Sequence, residues 1–174
     1  MISVRTATKR VAHHGAVPAI PSGTSIEHVT PVRDEEIDVL PSRRGFMAML
    51  AAYQPTGGTA HGDEIARLLK DCQRGDFVSL ARLIVSSQVV GFEWRNSFWV
   101  PMFQFELGDL SIKRGPRQAL AELAAEYDGW TSAAWFARPN SWLNSRRPVD
   151  LLDANLSAVL EAAREERCMP TNSQ

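Results

Sequence analysis

Apolar positions along this chain follow two periods, and a first stretch follows neither. Residues 1–44 hold Pro18, Pro21, Pro31 and Pro41 and no aromatic residue. Such a segment buries too little apolar surface to offset the entropy of ordering it. It is expected to be a disordered or loosely attached arm, with one weak helical signal over Glu35 to Leu40.

Order is expected from Gly45. Phe46, Met49, Leu50 and Tyr53 recur at i, i+3, i+4 and i+7, the stripe of an amphipathic helix, and Pro55 with Gly57-Gly58 ends it. A second helix starts near Gly62-Asp63 with Ile65, Leu68 and Leu69 as its apolar face, and Gly75 ends it. Asp76 is placed to cap a third helix, whose expected buried face is Phe77, Leu80, Leu83 and Ile84.

The period then shortens to two. Val89 to Val100 carries two aromatic runs flanking Asn96-Ser97, which predicts a β-hairpin with those two residues in the turn and Trp94 opposite Trp99. Pro101 fits a strand start or edge, and Met102 to Leu107 alternates as a further short strand. From Gly115 the helical period returns. Pro116 suits a first helical turn, and Leu120, Leu123, Ala124 and Tyr127 form one stripe. Asp128-Gly129 breaks it. A Trp130-to-Phe136 helix must stop near Arg138, because Pro139 follows. Pro148 begins another turn, and a last helix runs from Asn155 to about Arg167, with Leu156, Val159, Leu160 and Ala163 on one face.

Composition narrows the classes. A length of 174 residues fits about one domain, and 44% hydrophobic content is enough for a packed core. Lys plus Arg is 19 against Asp plus Glu at 20, so the net charge of −1 excludes affinity built on bulk positive charge. No run of about 18 apolar residues predicts a membrane span, and Arg5, Lys9 and Arg10 precede no apolar leader core. Two distant cysteines, Cys72 and Cys168, suit a reducing cytoplasm better than a disulfide framework.

No catalytic residue is expected. His61 is the one histidine outside the arm, which makes a histidine-dependent triad improbable. No phosphate-binding glycine loop, nucleophile elbow or zinc-ligand spacing occurs, so neither cofactor nor metal is expected. The acidic pairs Asp63-Glu64 and Glu165-Glu166 read as helix-start and solvated-face residues.

The most informative stretch is Gly129 to Arg167, GWTSAAWFARPNSWLNSRRPVDLLDANLSAVLEAAREER. Its Trp135, Pro139, Asn140, Leu143, Arg147, Pro148, Asp150, Leu151 and Leu152, followed by Val159 and Leu160, resemble the C-terminal toxin-binding domain of Xre/MbcA/ParS-type antitoxins. The resemblance covers residues 116–167. It implies a cytoplasmic, non-enzymatic antitoxin that covers the active-site entrance of a cognate protein toxin, often of the NAD-consuming RES type. It also implies a homodimer and possible autoregulation of its own operon. The expected partner-binding residues are Trp135, Asn140, Trp142, Leu143, Arg146, Arg147, Leu156, Val159, Leu160 and Arg164.

Residues 61–107 resemble the region preceding that domain in some members, ending in Pro101-Met102-Phe103-Gln104-Phe105. The second and third helices fit a helix-turn-helix with the hairpin as a wing. Its candidate operator-DNA contacts are Ser79, Arg82, Ser86 and Gln88. Residues 46–110, however, carry five basic and seven acidic side chains, a poor balance for phosphate contact. The expected fold is thus mainly α with a small β-hairpin. The arm at 1–44 precedes a degenerate helix-turn-helix-like module at 45–110 and a compact helical toxin-binding domain at 111–174. The alternative function is a DNA-binding transcriptional regulator without a toxin partner.

Overall fold

The computed structural model describes residues 41–168. Most of the expected arm, and the helix over 35–40, lie outside them. Among the described residues the protein is mainly helical, with six α-helices and one three-stranded antiparallel sheet.

Order begins two residues earlier than the apolar stripe suggests. Helix α1 spans Arg43–Tyr53, because the Ser42 hydroxyl caps it by accepting from the Gly45 N–H at 2.9 Å. A 3-10 turn at Gln54–Thr56 and Gly57, at φ 101°, then redirect the chain into strand β1, Thr59–His61. Helices α2 (Gly62–Asp71) and α3 (Phe77–Val85) follow, and Asp76 caps α3 as expected, accepting from the Ser79 N–H at 2.9 Å. Strands β2 (Phe92–Trp94) and β3 (Ser97–Pro101) close the sheet in the order β1-β3-β2.

The hairpin turn lies one residue earlier than expected, which shifts the cross-strand pairing by two residues. Trp94 faces Ser97 and Trp99 faces Phe92, so the turn is Arg95-Asn96, with φ 47° and 61°. Both values are the positive angles a two-residue type I′ turn demands. Tertiary packing enforces the choice: Trp94 stacks on Phe46 at 5.1 Å and on Trp130 at 5.6 Å.

The expected strand after Pro101 is a 3-10 turn, Met102–Gln104, followed by an isolated bridge between Phe105 and Ile112. The chain curls because Gln104 turns inward. Its side chain accepts from the Val90 N–H at 2.8 Å and donates to the carbonyls of Val90 at 2.7 Å and Pro101 at 2.9 Å. Helices α4 (Arg114–Leu123), α5 (Gly129–Ala137) and α6 (Leu156–Cys168) complete the fold. Asp128 caps α5 through the Thr131 N–H at 2.7 Å. The start of α5 crosses the backbone before β2 so closely that a Cβ on Gly129 would lie 2.1 Å from the Gly91 carbonyl oxygen.

Two apolar clusters form the interior. The larger joins Phe46, Met49 and Tyr53 of α1 to α4, α5, α6, Phe92 and Phe103. The smaller joins Ile65, Leu69, Leu80, Val89, Val100, Met102, Phe105 and Leu110. A boundary at residue 110 therefore does not divide the packing, since α1 lies in the cluster of the C-terminal helices. Gln104 sits between Phe103 of one cluster and Phe105 of the other. The smaller cluster is too narrow to cover both expected stripes. Leu68 is 39% exposed and Phe77 is 60% exposed, where burial was expected, and Leu80 alone is fully buried on α3.

Candidate functional site

The C-terminal motif folds into a closed turn between α5 and α6. Arg138, before Pro139, takes the extended conformation at ψ 148° and stops α5. Asn140 then organises the loop. Its side-chain oxygen accepts from the Trp142 N–H at 2.9 Å, its carbonyl accepts from the Ser145 N–H at 2.9 Å, and its N–H donates to the Arg146 carbonyl at 3.0 Å. Asn144 and Ser145 close the turn in left-handed conformations, at φ 55° and 61°. Leu143 plugs the turn into the core, while Trp142 stays 50% exposed.

Helix α6 braces this turn from behind. Glu166 accepts from the Asn140 Nδ2 and from the Tyr127 hydroxyl, each at 3.3 Å. Burial of the Tyr127 phenol, followed by the Glu166 charge beside it, raises its pKa above the ordinary value. Glu166 is thus a bracing group rather than a purely solvated one. Glu122 of α4 pairs with Arg164 at 3.0 Å and Arg167 at 3.4 Å, fastening α6 to α4. After the turn, the Arg147 Nε donates to Asp150 at 2.8 Å and steadies the 3-10 turn Pro148–Asp150.

The expected partner-binding residues therefore separate by position. Trp135, Leu143 and Val159 are core residues, exposed by 2%, 4% and 0%, and no partner reaches them without unfolding the domain. Asn140 is buried and spent on the turn, and Leu156 and Leu160 are half-buried against the larger cluster. Arg164 is exposed but paired with Glu122. Trp142 and Arg146 remain open, with Arg147 half-buried beside them, and Arg146 has no ion pair among the described residues.

On α3, the candidate DNA contacts are engaged locally. The Ser79 hydroxyl donates to Asp76 at 3.0 Å, the Ser86 hydroxyl to the Arg82 carbonyl at 2.7 Å, and the Gln88 Nε2 to the Ser86 oxygen at 3.0 Å. The backbone and side-chain hydrogen bonds from Ser79 hold the Asp76 carboxyl below its usual pKa, which keeps a negative charge at the start of this helix. Arg82 is its one exposed cation.

Compared with protein-family models, with curated proteins and with solved structures, the chain has no match.

Other parts of the surface offer little arranged chemistry. His61 ends β1 just before α2, its ring against Trp99 at 3.9 Å between centroids, rather than sitting in a free loop, and its side chain makes no capping hydrogen bond to the helix. Cys72 and Cys168 are exposed free thiols. Among the described residues no group of three or more His, Cys, Asp or Glu side chains is placed to hold a metal ion, and no helix is long and apolar enough to cross a membrane. A cleft of about 480 Å³ lies between the 3-10 turn after α1 and the segment before α6. Phe103, Phe105 and Leu152 line it, and a Lys113–Asp153 pair at 3.5 Å stands at its wall. Sequence reasoning missed two positioning residues, Gln104 and Glu166. A lone glutamine inside the apolar run PMFQF was the available signal for the first; nothing in the sequence marked the second.

Proposed function

We propose that this protein is an antitoxin-like binding protein, acting by occlusion rather than catalysis, and that the turn carrying Trp142 is its anchor. The carrying observation is a half-exposed tryptophan on a turn whose backbone is fixed by Asn140 and braced by Glu166. Exposing a tryptophan wastes its apolar area unless something covers it. Tryptophan and arginine are the side chains most enriched among residues that dominate binding energy. A pre-fixed turn also reduces the ordering entropy lost on association. The resemblance of residues 116–167 to the antitoxin domain supplies the partner class: a toxin of the RES type that consumes NAD. Trp142 fills a pocket beside the toxin's active-site entrance, Arg146 meets an acidic group at its edge, and the body of the domain blocks substrate entry.

A second reading, a DNA-binding regulator, has the element order in its favour. Helix, strand, two helices and a hairpin in sequence is the order of a helix-turn-helix with a wing. The surface of α3 argues against it, because one exposed arginine beside Phe77, Val78 and Val85 offers phosphate little.

The test is affinity capture from the native cytosol, followed by an NAD-consumption assay of the captured protein with and without this chain. Inhibition by the native chain that Trp142→Ala weakens at least 30-fold supports the reading. A captured protein without NAD-consuming activity, or inhibition unchanged in both Trp142→Ala and Arg146→Glu, overturns it.

A further inference from the structure

The cleft of about 480 Å³ between the 3-10 turn after α1 and the segment before α6 has the size of a small-molecule site, which spans roughly 300–1,000 Å³. Its floor is apolar, made by the buried side chains of Phe103, Phe105, Val149 and Leu152.

The walls are set before any ligand arrives. On one side Gly57 turns the chain at φ 101°. On the other stands the loop at 106–111. The Glu106 N–H donates to the Ser111 carbonyl at 2.9 Å and the Leu110 N–H to the Glu106 carbonyl at 2.8 Å. The Ser111 hydroxyl donates to Asp109 at 2.7 Å, and Arg74 pairs with the same carboxylate. This pinned loop holds out Leu107, which is 68% exposed. A Cβ on Gly57 would lie 3.3 Å from the Leu107 Cδ2, so the leucine leans across toward the opposite wall. A single exposed leucine is ordinary. One fixed over an apolar floor makes a slot with apolar surface on two sides.

The slot has a positive end. The Lys113 N–H is fixed on the Gln104 carbonyl at 2.9 Å, and its side chain is 25% exposed. The carboxylate paired with it, Asp153, lies 3.5 Å away on a side chain that is 83% exposed. Such a loose pair contributes little, and a bound anion displaces it at small cost. Lys113 also precedes the first turn of α4, which no side chain caps, whereas Ser42, Asp76 and Asp128 cap α1, α3 and α5. The positive end of the α4 dipole therefore adds to the ammonium charge. Glu106 borders the cleft as well, but it is exposed and its charge is screened by water and salt.

We infer that this cleft binds a small apolar carboxylic acid. Its aryl or alkyl chain lies between Leu107 and the floor of Phe103 and Phe105, and its carboxylate takes the place of Asp153 at the Lys113 ammonium. The acid is preferred to a neutral ligand because the ammonium is set into the wall, where a charge-assisted hydrogen bond is stronger than in bulk water. It is preferred to an amine because a second ammonium would meet Lys113 and the end of α4. The inference stands apart from the antitoxin-like reading: it uses neither Trp142 nor Arg146, and its test needs no toxin.

The experiment is a two-dimensional 1H–15N NMR titration of the full chain with 4-phenylbutyrate, 4-phenylbutanol and 4-phenylbutylamine, which share one apolar body and differ in charge. Circular dichroism of each variant is the control for folding. The acid is expected to give saturable shifts at Gly57, Gly108 and Lys113 with a Kd of about 0.1 mM, the alcohol to bind about tenfold more weakly, and the amine more weakly still. Lys113→Met keeps the stem of the side chain and should bring the acid down about tenfold, to the affinity of the alcohol, while leaving the alcohol unchanged. Asp153→Asn, at a position too exposed to unfold the domain, should tighten the acid about twofold by removing its competitor. Leu107→Ala should weaken acid and alcohol alike, by about threefold. Absence of saturable shifts at these amides up to about 5 mM acid overturns the inference. So does equal affinity for acid and alcohol, tighter binding of the amine, or acid binding that survives Lys113→Met. Shifts confined to α3 around Phe77 overturn it too, because they place the contact on another apolar surface.

Discussion

Replacing Gln104 with methionine keeps the length and volume of the side chain and deletes its polar end. Three buried backbone groups then lose their partner: the N–H and carbonyl of Val90 and the carbonyl of Pro101. Val90 is 3% exposed and Gln104 1%, so water does not replace the amide without opening the core. Each unsatisfied buried group costs about 1–3 kcal/mol, and burying methionine in place of an amide recovers part of it. A net loss of about 3–5 kcal/mol is expected, against a total stability of about 5–15 kcal/mol for a domain. In urea unfolding, at about 2 kcal/mol per molar, the midpoint should fall by about 2 M. Gln104→Glu adds a sign. The carboxylate keeps the Val90 N–H but opposes two carbonyls, so its pKa in the folded state should lie above the unfolded value. The folded protein then binds more protons, and its stability falls as pH rises through the carboxyl range and returns in acid. A midpoint shift under 0.5 M for the methionine variant, or no acid recovery for the glutamate, would refute the view that Gln104 joins the two clusters.

Three shorter predictions accompany it. The buried Tyr53 hydroxyl donates to the Ala133 carbonyl, and burial holds its phenol pKa well above the ordinary value. Tyr53→Phe should cost about 1 kcal/mol at neutral pH. The native chain should lose stability above about pH 10, where the unfolded tyrosine ionises and the folded one does not, while the variant shows a shallower fall; equal alkaline slopes would contradict this. Asn96→Gly should raise stability by a few tenths of a kcal/mol, because the second turn residue has φ 61°, whereas Ser97→Gly should lower it. The reverse order in thermal melts would favour the Asn96-Ser97 turn. Trp142→Ala should leave the melting midpoint within 2 °C, since the side chain already stands half in water. A large drop would make Trp142 a packing residue.

Much of the helical framework was legible because its apolar stripes are regular and its stops are chemically marked. Phe46, Met49 and Tyr53 are buried as their spacing implies, and Asp76 and Pro139 act at their expected places, whereas α4 stops at Leu123, short of Tyr127 and the expected Asp128-Gly129 break. The failures share a cause, which is that tertiary context decides between local alternatives. Strand β1 has three residues and no pattern of its own; it exists because β3 offers an edge. The hairpin register follows from the stacking of Trp94 on residues distant in sequence. Phe77 satisfies the stripe rule and is nonetheless exposed, because the rule assigns a face without knowing how much core exists to receive it. At the candidate site, the motif residues Trp135, Leu143 and Val159 are mostly what builds the surface, and Trp142 and Arg146 are what it displays.

The pairing of α1 with α5 has a consequence for synthesis on the ribosome. Tyr53 and Ala133 are 80 residues apart in the chain. At about 5–20 residues per second, α1 leaves the ribosome roughly 4–15 s before α5 exists to cover it. Until Phe92, Trp94 and Phe103 emerge, Phe46, Met49 and Tyr53 form an amphipathic strip with no native counterpart, and until α5 follows the strip is only partly covered. A stall placed before residue 129 should leave α1 open to protease, and a stall well beyond α6 should not.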